Sequence, residues 1–495
     1  MSLNSALSIA AGSLANINSQ LSLVSQNVAN ASTPGYAAEI ATQQSVTADG
    51  AGLGVRTGLT IRNIDATLQS ELLSQNATVS GLQTQQTALQ AIDAAQGTPG
   101  QGTDIASLLG NLQDQFSTLL NDPSSAPQQS QVVSAANSLA HGVNALSDTY
   151  TTQRQTAEDN LVSEVATLNS TLGTIGSLSS QIVTLQASGR STADLENQRD
   201  AAVANLSQLV DVKVLQQPNG DLLVASTAGV VLPIHGTSNP FSITGANVQP
   251  GSTYPASIGG IMLGGTDVTS QLQGGQIGAN ITLRDSTLPT DQAELDEFAQ
   301  NLASRFDTEG LRLFTDPSGK VPAASAPPSP VQKSYVGFAA TIQVNAAVQA
   351  TPSLVRDGTA ASPTGLAGYT GVIQNVLGYT FGADQSAGVP WSASSTSGLG
   401  ARGTLSAPYA APPTIGGLAS TVLASQAQAS ASISSQADTE QAVQTTLGNK
   451  LSTESGVNMD TEMSHMIQLQ SAYGANARVL TAVQAMFTQL LQAVQ

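Results

Sequence analysis

The chain has 495 residues, a formal net charge of −18 and no cysteine. Its length exceeds what one hydrophobic core usually organises, so we expect about two to four domains, while the negative charge argues against nucleic acid and anionic membranes as partners. No apolar stretch is long enough to span a bilayer, and the lack of cysteine excludes thiol nucleophiles and thiolate metal sites.

The first predicted element is a helix whose apolar residues alternate at spacings of four and three, the a/d heptad pattern of a coiled-coil seam. A turn follows, made by Thr33, Pro34, Gly35 and Tyr36. Proline suits the second position of a type II turn, and glycine suits the third, where φ must be positive. The helix should therefore end at or before Thr33. The predicted seam consists of Leu3, Leu7, Leu14, Ile17, Leu21, Val24 and Val28, with Ala10 between them.

From about Ile64 to Leu209 the pattern is predominantly helical, broken by turn-rich pieces. Its last part, Ala193 to Val210, predicts an amphipathic helix in which Glu196 can lie beside Arg199. The apolar residues near one face of this helix are Leu195, Val203, Leu206 and Leu209.

A β-rich segment is predicted next. Residues 211–226 contain two β-prone runs around Pro218, Asn219 and Gly220, which is a strong hairpin signal. Sequence rich in Gly, Thr and Val continues to about Leu288. We therefore expect a small β-rich domain over 211–288.

The helical pattern then returns, with Leu295, Phe298, Leu302 and Phe306 on one side of a helix. Residues 358–413 are rich in Gly, Ser, Ala, Pro and Thr, and this composition favours a loop. From Ile415 to Leu451 a segment rich in Ala, Ser and Gln predicts a long helix that leads to the C-terminal segment.

The last predicted element is a second heptad helix. Asn458 can cap its start, and Asp460 and Glu462 lie in the first turn, where the helix dipole favours negative charge. Residues seven apart are Met459, Met466, Tyr473, Leu480, Phe487 and Val494, and between them fall Met463, Gln470, Ala477, Gln484 and Leu491. The predicted seam on this helix consists of Met459, Met463, Met466, Tyr473, Leu480, Phe487, Leu491 and Val494.

These elements predict a mainly α, multidomain α+β chain with an inserted β-rich domain. Residues 1–35 plus 455–495 would form terminal coiled-coil helices, 36–210 plus 289–454 a discontinuous helical domain with loops, and 211–288 the outer β-rich domain. The terminal helices could simply pair within one monomer. However, their apolar stripes are thin and their outer faces lack the charged residues of a solvated coiled coil, so we expect them to order fully only on assembly.

Signals for catalysis or metal binding are sparse. Glu462 and His465 have the Glu-x-x-His spacing of di-iron bundles, but a second such pair is missing. The acidic run Asp291, Glu294, Asp296 and Glu297 lacks calcium-loop spacing, and we expect it to open a helix, where acidic residues are common. We therefore predict no enzyme activity, no cofactor and no metal site.

The first 38 residues carry no charged side chain, so the positive region of a cleaved secretory signal is missing. The sequence is consistent with a plain cytoplasmic protein. It is equally consistent with one that leaves the cell without a conventional signal.

Two terminal motifs carry a resemblance to a known family. NVANASTPGY, residues 27–36, is similar to the N-terminal signature of the flagellar axial proteins of rod, hook and junction, and residues 455–494 resemble the closing helix of that family. Three interior features resemble its FlgK-type hook-associated members: the helical block after GVRTGLTIRNIDATL at 54–68, the segment DLENQRDAAVANLSQLVDVKVLQQPNG at 194–220, and SGVN at 455–458 before the last helix.

This resemblance implies a structural protein at the junction between hook and filament. Such proteins are exported uncleaved through the flagellar type III apparatus and form a ring of subunits on the hook tip, outside the cell. The implied partners are further copies of the chain, the hook protein, a second hook-associated protein of the FlgL type, and a cytoplasmic export chaperone on the C-terminal helix. The resemblance implies no nucleic acid and no membrane as partners.

Three alternatives remain open. A hook or distal-rod protein has the same ends but commonly lacks the long helical block after the turn. A secreted adhesin or enzyme carrying flagellar ends would need catalytic or ligand-binding residues between Asp211 and Pro413, and none is evident. An ordinary coiled-coil scaffold would keep stable ends as a monomer.

Overall fold

The structure, a computed structural model, describes residues 3–48, 51–97, 100–236, 238–359 and 365–493. The helices are α1 (Leu3–Asn30), α2 (Ala66–Gln96), α3 (Ile105–Asn121), α4 (Ala126–Ala187), α5 (Ala193–Leu209), α6 (Gly275–Thr282), α7 (Leu288–Thr308), α8 (Phe338–Thr341), α9 (Ala346–Ala350), α10 (Leu354–Asp357), α11 (Gly371–Asn375), α12 (Ile415–Ser455) and α13 (Met459–Ala493). None of the helices in these ranges is long and apolar enough to cross a membrane.

The strands pair in an antiparallel sense, and all of those described except β1 and β2 are five residues or shorter. They are β1 (Glu39–Ala48), β2 (Ala51–Arg62), β3 (Val212–Gln216), β4 (Leu222–Ser226), β5 (Phe241–Ser242), β6 (Met262–Leu263), β7 (Thr266–Asp267), β8 (Phe314–Thr315), β9 (Gln343–Val344), β10 (Ser397–Leu399) and β11 (Leu405–Ser406). Each pairs only with a neighbour, in the orders β1-β2, β3-β4, β5-β6-β7, β8-β9 and β10-β11. The prediction of a mainly α chain with some β structure is confirmed.

The N-terminal helix ends where the turn sequence predicts. Helix α1 stops at Asn30, the amide of Tyr36 donates to the carbonyl of Thr33 at 3.2 Å, and Gly35 has φ of 76°. A positive φ at this position costs glycine little, because it has no Cβ. After this turn the chain no longer follows the axis of α1.

The segment after this turn differs from the prediction. The sequence predicts a helical domain with loops here, but residues 39–48 and 51–62 form the antiparallel strands β1 and β2, in which Ile40 pairs with Ile61. Register shifts interrupt the pairing after Ala41 and after Val46. Both isoleucines are exposed, so the hairpin lacks the alternating buried face by which a strand is recognised in sequence.

The larger core lies in a helical body made from both halves of the chain. Helices α2, α3, α4, α7 and α12 pack together there. Phe306 lies at its centre, with ring centroids 6.0 Å from Phe116, 5.5 Å from Phe314 and 5.8 Å from Phe381. The predicted apolar face of α7 is confirmed, since Leu295, Phe298, Leu302 and Phe306 are all 0% exposed.

Towards the joint with the terminal helices, α2 and α12 continue as a two-helix arm. Their contacts are largely amide hydrogen bonds, such as Gln75 with Glu440, Gln83 with Gln441 and Gln444 with Asn76. The predicted helix from Ile415 is confirmed and extends to Ser455. A helical unit built from discontinuous segments is therefore present.

The hairpin predicted around Pro218, Asn219 and Gly220 is confirmed as β3-β4, with Gly220 at φ of 85°. The predicted β-rich range is too long, however, because helix α6 begins at Gly275 and runs through a π-helical turn, Leu283–Thr287, into α7.

The β-rich segment also lacks a core of its own. Val212, Val224 and Phe241 share one cluster with side chains of α4 and α5. Gly275 permits the close approach of α6, since a Cβ there would lie 2.5 Å from the carbonyl oxygen of Leu209. The segment has too few large apolar residues to form a separate core, so it packs on the helices.

Of residues 358–413, predicted as a loop, the described part contains short ordered elements. Helix α11 continues into the π-helical turn Val376–Thr380, and Ile373 and Val376 are fully buried. The segment is mostly irregular in backbone but contributes side chains to the larger core. Because the segment is rich in Gly, its composition alone does not indicate which few residues are buried in the core.

Candidate functional site

The terminal helices form an antiparallel pair beside the body. Ile17 and Val24 of α1 pack with Leu469 of α13, while Asn27, nearer the end of α1, contacts Glu462 at the start of α13. Asn458 caps α13 as predicted, because its side-chain oxygen accepts the Thr461 amide at 3.1 Å. Both helices therefore leave the body from one joint.

The structure buries part of the predicted N-terminal seam. Ile17 and Val24 are buried. Leu7, Leu14, Leu21 and Val28 are half-buried. The side chain of Leu3 lies outside the described residues. The role of these residues in assembly stays a prediction.

The predicted C-terminal seam lies mostly outside the contact with α1. Met466, Leu480 and Phe487 are half-buried. The buried positions are instead Leu469 and Val483, which precede the heptad positions Gln470 and Gln484 by one residue, so the contact face is rotated by about one residue. Met459, Met463, Tyr473 and Leu491 are exposed, and Val494 lies outside the described residues.

Helix α13 thus keeps apolar residues that no part of its own chain covers. At 100° per residue, about 3.6 residues per turn, they occupy opposite flanks of the buried stripe. The first flank consists of Met459, Met463 and Ile467, and the second of Val479, Met486 and Leu490, all at least 45% exposed.

Asn27 is the centre of the joint. Its Nδ2 donates to the carbonyl of Glu39 at 2.9 Å and to Oε1 of Glu462 at 3.1 Å. Its Oδ1 accepts the Tyr36 hydroxyl and the Glu39 amide, each at 3.1 Å. The side chain is 1% exposed and uses both donors and both lone pairs. One residue therefore fixes α1, the turn, β1 and α13 relative to one another.

A second set of contacts fastens the base of the hairpin to α5. Arg62 donates to Glu196 at 2.9 Å, to Asp200 at 2.7 Å and to Asn197 at 3.1 Å. Glu196 does lie near enough for its charge to act on Arg199, as predicted, but its ion pair is with Arg62. Arg199 instead donates to the carbonyl of Gly220 at 2.6 Å, because the β3-β4 turn lies beneath it.

Glu39 lies between these two sets of contacts. Its carboxylate accepts from Nδ2 of Asn197 at 3.2 Å. Burial raises the pKa of Glu39, the charge of Asp194 raises it further, and the hydrogen bond from Asn197 opposes the shift. Burial likewise raises the pKa of Tyr36, so its hydroxyl stays protonated and donates to Asn27.

The chain also crosses itself at this joint. The amide of Ala38 donates to the carbonyl of Ser455 at 2.8 Å, and Asn63 donates to the carbonyl of Glu454 at 3.1 Å. A cleft of about 370 Å³ lies beside the crossing, between the TPGY turn and the segment that joins α12 to α13. These hydrogen bonds fix the direction in which the terminal helices leave the body, and the described residues of the joint include no arrangement of nucleophile, base and oxyanion donor.

The remaining candidate residues take other roles. Glu462 belongs to the joint, and His465 is exposed. Across the described ranges no group of three or more His, Asp and Glu side chains is arranged to hold a metal ion.

The acidic run lies near the start of helix α7, as predicted, but most of it is buried. Glu294, Asp296 and Glu297 are buried under neighbouring segments, and only Asp291 lies in the first turn. Asp296 accepts the amides of Gly337 and Ala339, contacts that depend on a distant segment of the chain.

Sequence reasoning missed Asn27, Arg62, Asn197 and Ser455 as joint residues. One signal was available, because a polar residue inside an apolar seam often specifies register. Asn27 directly precedes the last predicted seam residue, Val28. The other three have partners at least 130 residues away, which no local pattern indicates.

Comparison with known proteins gives two family matches. Residues 89–310 match the family described as flagellar hook-associated protein FlgK helical domain, and residues 452–493 match the one described as flagellar basal body rod FlgEFG protein C-terminal. The first covers the end of α2, helices α3 to α7 and the β-rich segment, and the second covers the end of α12 and all of α13.

Two curated relatives are both named flagellar hook-associated protein 1. The one from Bacillus subtilis (strain 168) is 26% identical over 223 residues, covering 43% of this chain and 44% of the relative. The one from Escherichia coli (strain K12) is 24% identical over 348 residues, covering 67% of this chain and 62% of the relative. The matches thus span less than two thirds of each relative's own length.

A solved structure, that of the flagellar hook junction protein FlgK from Burkholderia pseudomallei, is 25% identical and aligns with a TM-score of 0.41 over 52% of this chain and 47% of that one. Both family matches are to flagellar proteins, and both curated relatives carry the same name. Over residues 89–310 the chain is therefore similar to the helical domain of FlgK-type flagellar hook-associated proteins.

Proposed function

We propose that this chain is a structural, non-catalytic component of the bacterial flagellum that forms the junction between hook and filament and allows the filament to assemble on the hook tip. The observation that carries the proposal is the terminal helix pair. It has no charged residue on α1, it is attached to the body through one polar joint, and it leaves two apolar flanks of α13 uncovered.

Such a pair is poorly suited to solvent on its own. Most helical stability in proteins comes from packing of an apolar face rather than from intrinsic propensity. The described part of this pair buries only a few apolar side chains over helices of 28 and 35 residues. These side chains are Ala10, Ile17, Val24, Leu469 and Val483. Full order therefore requires further cover, and identical helices from neighbouring subunits supply it in a ring.

In this arrangement the terminal helices of adjacent subunits pack side by side around an axial channel, and the helical body with the β-rich segment faces outward. The seam residues and the two flanks of α13 form the subunit contacts. The further partners are the hook protein below, a second hook-associated protein of the FlgL type above, and a cytoplasmic chaperone that covers the C-terminal helix before export. The working location is outside the cell.

Deletion of the gene tests the cellular role. We expect hooks without filaments by electron microscopy, flagellin in the culture medium, and loss of swimming, all restored by the wild-type gene on a plasmid. Normal filaments in the deletion strain would overturn the junction assignment.

A hook or distal-rod role is the second candidate, and the match of residues 452–493 to the rod family favours it. The same deletion separates the two roles. Loss of the hook itself would assign the chain to the rod or hook, whereas hooks of normal length without filaments would assign it to the junction.

A further inference from the structure

A buried polar cluster joins four helices of the body far from the joint. Gln426 of α12 accepts the hydroxyl of Tyr150 from α4 at 2.7 Å and the side-chain amide of Gln96 from α2. Its own amide donates to Oε2 of Glu294 from α7 at 3.4 Å. These side chains are between 0% and 7% exposed, and they are called the Gln426 node below.

The carboxyl group of Glu294 is only weakly hydrogen-bonded in this node. Its Oε1 is buried and has no hydrogen-bond partner among the described residues, while its Oε2 has only the long contact with Gln426. A carboxylate in such a position would lose its hydration and receive almost nothing in return. A neutral carboxylic acid loses far less.

No positive charge compensates Glu294 in the described structure. Arg154 and Arg305 donate to backbone carbonyls, and Arg284 is paired with two acidic partners of its own. Lys333, on the segment that precedes α8, is exposed. Every cation on the elements packed against α7 is therefore engaged elsewhere or turned to solvent.

The other titratable groups near the node are acidic or phenolic. Asp291 lies one turn earlier on α7, and its negative charge opposes a charge on Glu294. Tyr150 and Tyr409 face the acidic residues from α4 and from the loop before α12, and burial raises the pKa of both. Asp93 of α2 is bonded to Ser430 of α12. The exposed groups of α4 on this part of the helix are His141 and Asp148.

We propose that the Gln426 node is a proton-operated lock, in which Glu294 carries a proton in the folded body and loss of that proton loosens the attachment of α12 to α7. The proton passes to solvent, and the charge left behind can be hydrated only if the two helices separate. Since α12 leads directly into the joint, the lock couples the protonation state of the body to the helix that supports α13.

The direction of the pH effect follows from burial. Burial, with a smaller contribution from Asp291, raises the pKa of Glu294 to about 8, and the hydrogen bond from Gln426 opposes this only in part. An unfolded glutamate titrates near about 4.3. Between these values only the folded state holds the proton, so this group makes the ratio of folded to unfolded protein fall about tenfold per pH unit as pH rises.

Infrared spectroscopy of the full chain tests the proton directly. At pH 6 we expect the C=O band of a protonated carboxylic acid in the wild type, reduced in Glu294→Gln and unchanged in Glu71→Gln, which alters an exposed carboxylate. If the difference spectrum between wild type and Glu294→Gln at pH 6 shows only a carboxylate band, the proposal fails.

Urea unfolding and hydrogen exchange test the lock. Between pH 5 and pH 8 we expect the ratio of folded to unfolded protein to fall at least about tenfold less in Glu294→Gln than in the wild type. Amides of 415–430 should lose protection at pH 9 in the wild type, after correction for intrinsic exchange, and keep it in Glu294→Gln. Equal pH dependence in both chains, or protection of 415–430 that does not change with pH in the wild type, would overturn the proposal.

Discussion

The helical body and the terminal helix pair are built on different principles. The body surrounds a core in which Phe306 and its neighbouring rings are fully buried, and every side of that core is supplied by the chain itself. The pair buries one narrow stripe and is attached through hydrogen bonds of Asn27. The body therefore has a large buried core, whereas the pair leaves apolar side chains on both flanks of α13 exposed.

The two regions therefore control different properties: the body controls the stability of the fold, and the joint controls the direction of the terminal helices. Apolar burial determines whether the body folds, because it supplies most of the free energy of folding. The polar joint determines where the terminal helices point, because hydrogen bonds are directional and contribute modestly to net stability. Substitutions in the two regions should therefore change different measured quantities.

The largest effect is expected in the body. Phe306→Ala removes a ring that is 0% exposed and contacts three other rings, so the free energy of unfolding should fall by about 3–5 kcal/mol. Urea unfolding measures this change. Leu215→Ala, at a side chain that is 62% exposed, serves as the control and should change it by less than about 0.5 kcal/mol. Similar losses for the two variants would contradict the assignment of the core.

A smaller, local effect is expected at the joint. Asn27→Ala leaves the Glu39 amide and carbonyl and the Tyr36 hydroxyl without their partner, at a cost of about 1–3 kcal/mol. Limited proteolysis should cut 31–38 and 455–458 faster, while urea unfolding of the body stays the same.

Ser25→Ala is the control for the joint, because Ser25 is exposed and its hydroxyl donates within its own helix, to the carbonyl of Leu21. Equal cleavage rates for the two variants would show that Asn27 does not hold the joint.

A pH-dependent effect of roughly 1 kcal/mol is expected at Glu164 on α4, once solvent screening is allowed for. Burial raises its pKa to about 7, against the hydrogen bond from Asn280, and its Oε2 has no partner within the described structure. Stability from this group is present below the unfolded pKa and is lost as pH rises to about 7.

Glu164→Gln should therefore unfold at higher urea than the wild type at pH 8 and at the same urea at pH 4. Asp148→Asn, which alters an exposed carboxyl on the same helix, should show no such difference. If the urea midpoint of Glu164→Gln equals that of the wild type at every pH, the predicted effect of Glu164 on stability is refuted.

The smallest effect on the isolated chain is expected on the second flank of α13. Met486→Gln with Leu490→Gln alters side chains that are 48% and 58% exposed, so unfolding should change by less than about 0.5 kcal/mol. Assembly should nevertheless fail, seen as loss of swimming and of the restored filaments in the deletion strain.

Gln484→Ala with Gln489→Ala, two exposed polar positions on the same helix, is the control for that flank and should assemble normally. Normal swimming with the Met486 and Leu490 variant would remove the flank from the proposed subunit contacts.

Local patterns predicted the elements that depend on near neighbours. The end of α1, the β3-β4 hairpin, the cap at Asn458 and the buried face of α7 all follow from residues within a few positions of one another. Turn chemistry and helix periodicity act over that range, so the sequence alone is enough to predict these elements.

The features that the sequence did not predict come from contacts between residues far apart in the chain. Arg62 pairs with Glu196 and Asp200, which are 134 and 138 residues away, and helix spacing gives no sign of this ion pair. Three of the acidic residues of α7 are buried because 331–339 and α12 cover them, and their spacing along the chain does not indicate this.

Composition and periodicity therefore decided that this chain has two weakly charged heptad helices at its ends, a mainly helical interior and a short β insertion. The packing of distant segments decided which face of α13 meets α1, how the hairpin β1-β2 is anchored, and which carboxyl groups lose contact with water. The physical reason is range, since backbone preferences act over a few residues, whereas burial and charge pairing depend on which parts of the fold meet in space.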